Sequence, residues 1–308
     1  MKIVIAGGSG QVGGILARHF HQNGHTVIVL SRSRPPAPWR VAAWDGVTLG
    51  PWVPELESSD VLINLAGRSV NCRYTPANRQ AILDSRVLST EVLHRAVARL
   101  QNPPAVWLNA STATIYRHAP NRPMDEWTGE IGGEEPDAPA RWGFSIKVAK
   151  AWEEAFFSIK TPKTRQIALR SAIAFSPDRG GAFDVFMHLV RCGLGGTNLP
   201  GDQFVSWIHD TDLVRAVDFL IERQDIEGIV NLASPHPLPN REFLGILRKA
   251  YGTRIGLPTT RWMLEIGTRL LRTESELVLK SRRVVPGRLL DAGLYLHIPP
   301  GGRQLPIW

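Results

Sequence analysis

Cysteine is nearly absent from this chain, with two residues in 308. Cys72 and Cys192 stand far apart and share no metal-ligand spacing, which excludes a disulfide framework and leaves two reduced thiols as the expectation. Long hydrophobic runs are missing as well. No segment approaches the ~20 apolar residues of a membrane-spanning helix. The first apolar run, Ile3 to Ala6, passes straight into glycines instead of following a basic leader. The expectation is a cytoplasmic protein without a membrane partner. No His/Cys/carboxylate cluster has convincing metal spacing, so no metal is expected.

What is present is ordinary globular composition, 43% hydrophobic and 21% charged, with a net charge of +8. The charge is unevenly placed: residues 241–308 hold 12 Lys/Arg against 5 Asp/Glu. Arg248, Lys249, Arg269, Arg272, Lys280, Arg282 and Arg283 follow amphipathic patterns without interleaved aromatics, which speaks against nucleic-acid binding. Two readings remain open for them, a solvated helix face or an anion-attracting wall beside a substrate. The expected partner is a small-molecule substrate; oligomeric state is not encoded legibly.

Strand-like runs at Lys2–Ala6, Thr26–Leu30, 61–65 and 105–110 alternate with helical periodicity at 12–22 and 77–100. This alternation predicts an α/β fold, a Rossmann-type doubly wound parallel sheet. Residues 1–177 would form the dinucleotide domain, completed by parts of 205–232. Residues 178–308 would form a smaller C-terminal α/β region that closes over the strand ends and binds substrate. Further strands are expected at 166–174, 205–209 and 229–232. Helices are expected at 183–193, 210–223, 240–251, 261–271 and 273–280. Residues 121–142, rich in Pro, Gly and acids, read as a surface loop or lid.

The first strand ends in Ala6-Gly7-Gly8-Ser9-Gly10-Gln11-Val12-Gly13-Gly14. Gly7, Gly10 and Gly13 fall at the spacing of a dinucleotide fingerprint. One glycine makes the tight turn, another lets backbone N–H groups reach a pyrophosphate, and a third lets helix pack on strand. The helix beginning near Gln11 and Val12 points its positive end at the phosphates. An NAD site would end the second strand in an acid. Here that end reads Leu30-Ser31-Arg32-Ser33-Arg34. Ser31 and Arg32 suit a 2′-phosphate, so NADP(H) is expected ahead of NAD(H).

From here the chain resembles the extended short-chain dehydrogenases/reductases, the superfamily of nucleotide-sugar epimerases and dehydratases. Asp60 to Gly67 looks like that superfamily's fourth strand and its Asn-Leu-Ala-Gly turn. Cys72-Arg73-Tyr74-Thr75, Asp84-Ser85-Arg86-Val87, Gly193 to Gly196, Gly201-Asp202-Gln203, Ser206 to Asp210 and Glu274 to Gly293 are similar to an atypical epimerase branch carrying an extra C-terminal domain. The resemblance implies that Leu65, Ala66 and Gly67 line the adenine and ribose side. It also implies that Arg86 reaches toward the cofactor from the long helix and that Ser111 borders it.

The superfamily's catalytic set is a Ser/Thr on the fifth strand and a Tyr-x-x-x-Lys helix motif. Ser111-Thr112-Ala113-Thr114-Ile115-Tyr116 resembles the first, with Thr112 at the Ser/Thr position. The second aligns with Gly143 to Lys147, so glycine replaces the tyrosine. Three readings stay open: Lys147 holds a ribose without chemistry, Tyr116 or another lid group takes over acid–base work, or the helix motif is only a polar surface. If the chain is an enzyme, hydride moves between NADP(H) and a hydroxyl or carbonyl carbon; a non-catalytic NADP(H) sensor is the alternative. His209-Asp210 reads as a helix cap, and Trp142 and Trp207 as pocket walls or interface core.

Overall fold

The computed structural model describes residues 1–33, 36–119, 121–133, 135, 139, 142–178, 181–197, 201–253, 255–258 and 280–296. β1 (Lys2–Ala6), buried from Ile3 onward, runs into α1 (Gln11–Gln22). Next come β2 (Thr26–Ser31), β3 (Arg40–Ala43), β4 (Val61–Asn64), α2 (Pro76–Val97), β5 (Val106–Thr112), α3 (Gly143–Phe157) and β6 (Arg165–Ser171). With β10 (Gly228–Leu232) these strands form a seven-stranded sheet in the order β10-β6-β5-β4-β1-β2-β3, parallel at every pair. β1 has β2 on one side and β4 on the other, so the strand order reverses there. A crevice opens at the carboxyl ends of such a switch point.

A parallel sheet covered on both faces needs strands that are apolar throughout, and β1 is apolar and wholly buried from Ile3 to Ala6. Period-two alternation splits that run. Ile3 and Ile5 pack with Leu16 and Phe20 of α1 and with Leu213 and Val217 of α5 (Asp210–Glu222). Val4 and Ala6 pack on the other face with Val92 and Leu93 of α2 and Phe156 of α3. Trp107 of β5 is fully buried there, edge-on to Phe156 at 5.1 Å and 4.6 Å from the His94 ring.

The expected strand 166–174 is two strands in different sheets. Ala172 turns the chain out of the main sheet, its N–H still donating to Leu232 O at 2.9 Å. β7 (Ile173–Phe175) then pairs with β9 (Trp207–His209). The expected strand 205–209 divides likewise, because β8 (Phe204–Val205) pairs with β11 (Leu238–Pro239). These short strands, α4 (Ala182–Arg191) and α6 (Asn240–Tyr251) enclose a second core of Phe175, Phe186, Trp207, Phe243 and Leu244. β3 carried no legible pattern, since its residues are exposed or half-buried. The expected helix 261–271 and residues 273–279 of the last lie outside the described residues.

Lys280 and Arg282 correct the solvated-face reading of the basic C-terminal segment. They are 2% and 7% exposed, and Lys280 Nζ donates to Thr114 O at 2.9 Å. The segment following them runs beside Met124 through one isolated bridge, with Met124 N bonded to Arg283 O and Val285 N to Met124 O. Two further contacts close the outer side of β10. Glu126 accepts from Asn231 N at 2.8 Å, and Arg288 Nη1 donates to Ile229 O at 2.7 Å.

Trp107→Ala is expected to lower the unfolding free energy by about 3–5 kcal/mol. Urea denaturation followed by circular dichroism checks this; a loss below ~1 kcal/mol would mean the two helix–sheet layers repack without it.

Candidate functional site

The site lies where β1 and β4 end. Gly7 has φ +72 and donates its N–H to Leu30 O at 2.8 Å. A Cβ there would fall 2.7 Å from Ala66 Cα, so the glycine turn and the turn after β4 touch backbone to backbone. A Cβ on Gly13 would overlap the Gly8 backbone, which seats α1 against the turn. Gly10 is different. Its nearest neighbour for an added Cβ is Gly7 O at 3.9 Å, so that position faces away from protein atoms.

Gly10 also caps α1 without any side-chain hydrogen bond, and the first turn contains no acid. Gln11 and Val12, both half-buried, start the helix whose leading N–H groups are thereby left for a ligand. The Gln11 side chain turns elsewhere, donating through Nε2 to Asp178 O at 2.7 Å.

At the end of β2, Ser31 is buried and its hydroxyl donates to Ser9 Oγ at 2.9 Å while accepting from Ser33 N at 3.3 Å. Ser9, Arg32 and Ser33 are exposed around it. Sequence reasoning missed Ser9, whose signal was a hydroxyl inside a glycine loop facing a strand end without an acid. Arg34 lies outside the described residues.

The Leu65–Gly67 turn is pinned from beneath. Asn64 is fully buried; its Oδ1 accepts from Ala66 N at 3.1 Å and its Nδ2 donates to Asn109 Oδ1 at 2.8 Å and Thr90 Oγ1 at 3.3 Å. Arg86 holds the turn from the side. Its Nη1 donates to Arg68 O at 3.2 Å and Ile82 O at 2.9 Å, and its guanidinium lies 5.1 Å from the Trp152 ring. Burial draws the Arg86 pKa down to about 10, with the Tyr74 phenol nearby acting in the opposite direction. It has no carboxylate in salt-bridge range among the described residues.

Thr112 ends β5 half-buried, its Oγ1 accepting from Thr114 N at 3.2 Å. Ser111 points into the interior, donating to Glu153 Oε1 at 2.5 Å. Glu153 in turn holds Arg170 through two bonds of 2.8 and 2.7 Å. Burial disfavours the Arg170 charge, but the paired carboxylate outweighs it and raises the pKa above the ordinary arginine value. Arg170 stacks 4.9 Å from the Tyr116 ring. Tyr116 is 1% exposed and donates its hydroxyl to Asn231 Oδ1 at 3.0 Å; burial raises its pKa, with Arg170 and Asn231 partly offsetting this. Lys147 is exposed on α3, with no hydrogen bond or ion pair to another described residue. The buried residues of α3 are Ile146, Val148, Ala149, Trp152, Glu153 and Phe156. No hydrogen bond joins Thr112, Tyr116 and Lys147 to one another among the described residues.

Gly143 opens α3, and a Cβ built on it meets nothing within 4 Å, so sterics do not demand glycine there. His209 accepts from Thr211 N at 3.2 Å as the cap of α5, in contact with Asp210 at 2.9 Å. Trp207 is core, stacked on Phe175 at 5.4 Å, and Trp142 is buried against His118 at 5.4 Å.

The parallel sheet, its switch point and the glycine turn beneath an uncapped helix define a Rossmann-type NAD(P)-binding protein. The sequence profile of the NAD dependent epimerase/dehydratase family matches residues 3–233. The chain belongs to this family. It is 28% identical over 310 residues to human epimerase family protein SDR39U1, covering 99% of this chain and 98% of the relative. An epimerase family protein of Mycobacterium tuberculosis is 31% identical over 299 residues, covering 96% and 93%. The crystal structure of human SDR39U1 (isoform 2) with NADPH superposes with a TM-score of 0.83 at 26% identity, covering 97% of this chain and 96% of that one.

The two glycines predict different failures. Gly10→Val is expected to abolish dinucleotide binding in isothermal calorimetry while the melting temperature stays within a few degrees. Gly13→Ala is expected to lower the melting temperature, because its methyl meets backbone. Retained binding by Gly10→Val would make the turn purely structural.

Proposed function

We propose that this chain binds NADP(H) and acts as an oxidoreductase of the epimerase/dehydratase type on a hydroxyl or carbonyl group of a small substrate. The observation that carries the cofactor preference is the end of β2, where Ser31, Ser9, Arg32 and Ser33 stand in place of an acid. An acid there would accept from a ribose 2′-hydroxyl and repel a 2′-phosphate; hydroxyls and a guanidinium do the reverse. The relative bound to NADPH supports the same choice. Gly10 and the first turn of α1 would take the pyrophosphate, and the Leu65–Gly67 turn would cover the adenosine side. Bound NADP(H) would supply or accept the hydride.

Thr112 would orient the substrate oxygen. Its Oγ1 already accepts from Thr114 N, which leaves the hydroxyl proton to be donated outward at the carboxyl end of β5. Tyr116 serves the fold in this reading, since its hydroxyl is donated inside the protein. Lys147 serves at most the rim.

A second reading rests on the inward-donated Tyr116 hydroxyl and the exposed Lys147, together with the bare Gly143: a protein that binds NADP(H) and reports its redox state without turnover. Mixing the NADPH-loaded protein with a panel of ketones, sugars and quinones distinguishes them. Loss of the near-ultraviolet NADPH absorbance with any member supports the oxidoreductase; tight binding with unchanged absorbance across the panel supports the sensor. For the cofactor, Arg32→Glu is expected to weaken NADPH binding at least tenfold more than NADH binding, as measured by fluorescence titration. Equal losses would remove the 2′-phosphate assignment.

A further inference from the structure

Asp178 and Gly181 lie across the first turns of α1, and nothing in the sequence pattern required them to. Gln11 Nε2 donates to Asp178 O at 2.7 Å, and Arg18, two turns further along the same helix, forms an ion pair with the Asp178 carboxylate. Gly181, the cap residue of α4, presses on the Gln11 amide so closely that a Cβ on it would overlap that group. Asp178 is itself set by its neighbour Ser176, whose Oγ accepts from Asp178 N at 3.1 Å. α4 belongs to the second core with Trp207 and Phe243, whereas α1 belongs to the main sheet. The contact therefore joins the smaller lobe to the helix whose first turn begins at Gly10.

We propose that Asp178 is a latch. Held by Gln11 and Arg18, it keeps the smaller lobe closed against the amino-terminal turn of α1 and sets the rate at which a dinucleotide leaves that turn. The second half of this statement rests on the NADP(H) reading above; the first half does not. The Arg18 and Asp178 side chains are 48% and 31% exposed, so the ion pair is modest and screened by salt, and the Gln11 bond to the backbone adds a similar amount. Together they suit a fastening that opens during exchange of a ligand. Gly181 has a matching role, since any larger residue there pushes the Gln11 amide off Asp178.

The test uses the full chain and four variants, Asp178→Asn, Arg18→Met, the double variant, and Gln11→Ala. Amide hydrogen exchange without cofactor reads the latch directly. Faster exchange in the first turn of α4, at 183–186, is expected for every variant, with the melting temperature nearly unchanged. NADPH release, followed by stopped-flow fluorescence, is expected to quicken about three- to tenfold in each single variant. The double variant should release no faster than Asp178→Asn. Raising salt should quicken release from the unmodified chain by a larger factor than from Asp178→Asn, whose remaining salt dependence reports the phosphate contacts alone. Unaltered exchange at 183–186 in all four variants overturns the latch. Altered exchange with unaltered release overturns its control of the dinucleotide. No NADPH binding by the unmodified chain overturns the NADP(H) reading and that control with it, while the exchange data still decide the closure.

Discussion

The approach of two backbones at Gly7 and Ala66 governs the rest of the site. The turn after β1 and the turn after β4 lie on neighbouring strands that separate at the switch point, and side chains would ordinarily hold such turns apart. Without a Cβ at Gly7, with φ +72, they meet at backbone distance. That contact fixes the height of Gly8 and Gly10, hence the start of α1. It also fixes the Leu65–Gly67 turn, which Asn64 and Asn109 hold from below and Arg86 from the side. A polar ladder under a turn is costly to bury unless every group is matched, and matched it makes the turn rigid.

A second buried network runs from Ser111 through Glu153, Arg170 and Tyr116 to Asn231 and on to Val285 O. Its ion pair adds little net stability, because desolvation of two charges offsets most of their attraction. Its geometric effect is plain: it fastens the end of β5, the loop at Glu126 and the segment around Val285 to one another. Tyr116 is drawn into this network, which explains why a tyrosine close in sequence to Thr112 is not close to the same point in function.

The sequence made the first half of the fold legible because buried parallel strands and amphipathic helices carry strong periodic signals, as in Ile3 to Ala6 and Val12, Leu16 and Phe20. It made the phosphate loop legible because glycine spacing records backbone approach directly. It misled where a single residue redirects the chain: Ala172 and Ser206 interrupt what look like continuous strands and send their halves into different sheets. It misled again at Lys280 and Arg282, whose charges suggest solvent but which are buried, with the Lys280 ammonium on Thr114 O and the Arg282 backbone N–H on Phe204 O. It could say that Lys147 follows Gly143 by four residues, yet not which face of α3 turns inward. That face is set by Ala149 packing with Ala113 and Ile115 and by Glu153 bonded to Ser111.

The contacts of Glu126 and Arg288 with β10 bear on how copies of this chain can associate. A terminal strand whose N–H and C=O groups are open invites another strand to extend the sheet. Here a carboxylate occupies Asn231 N and a guanidinium occupies Ile229 O. An incoming strand would have to displace both and strip the half-buried Glu126 of its bond from Asn231 N. Growth of the sheet past this border is thereby discouraged, which leaves β3 as the border where, among the described residues, a further strand meets no such obstacle.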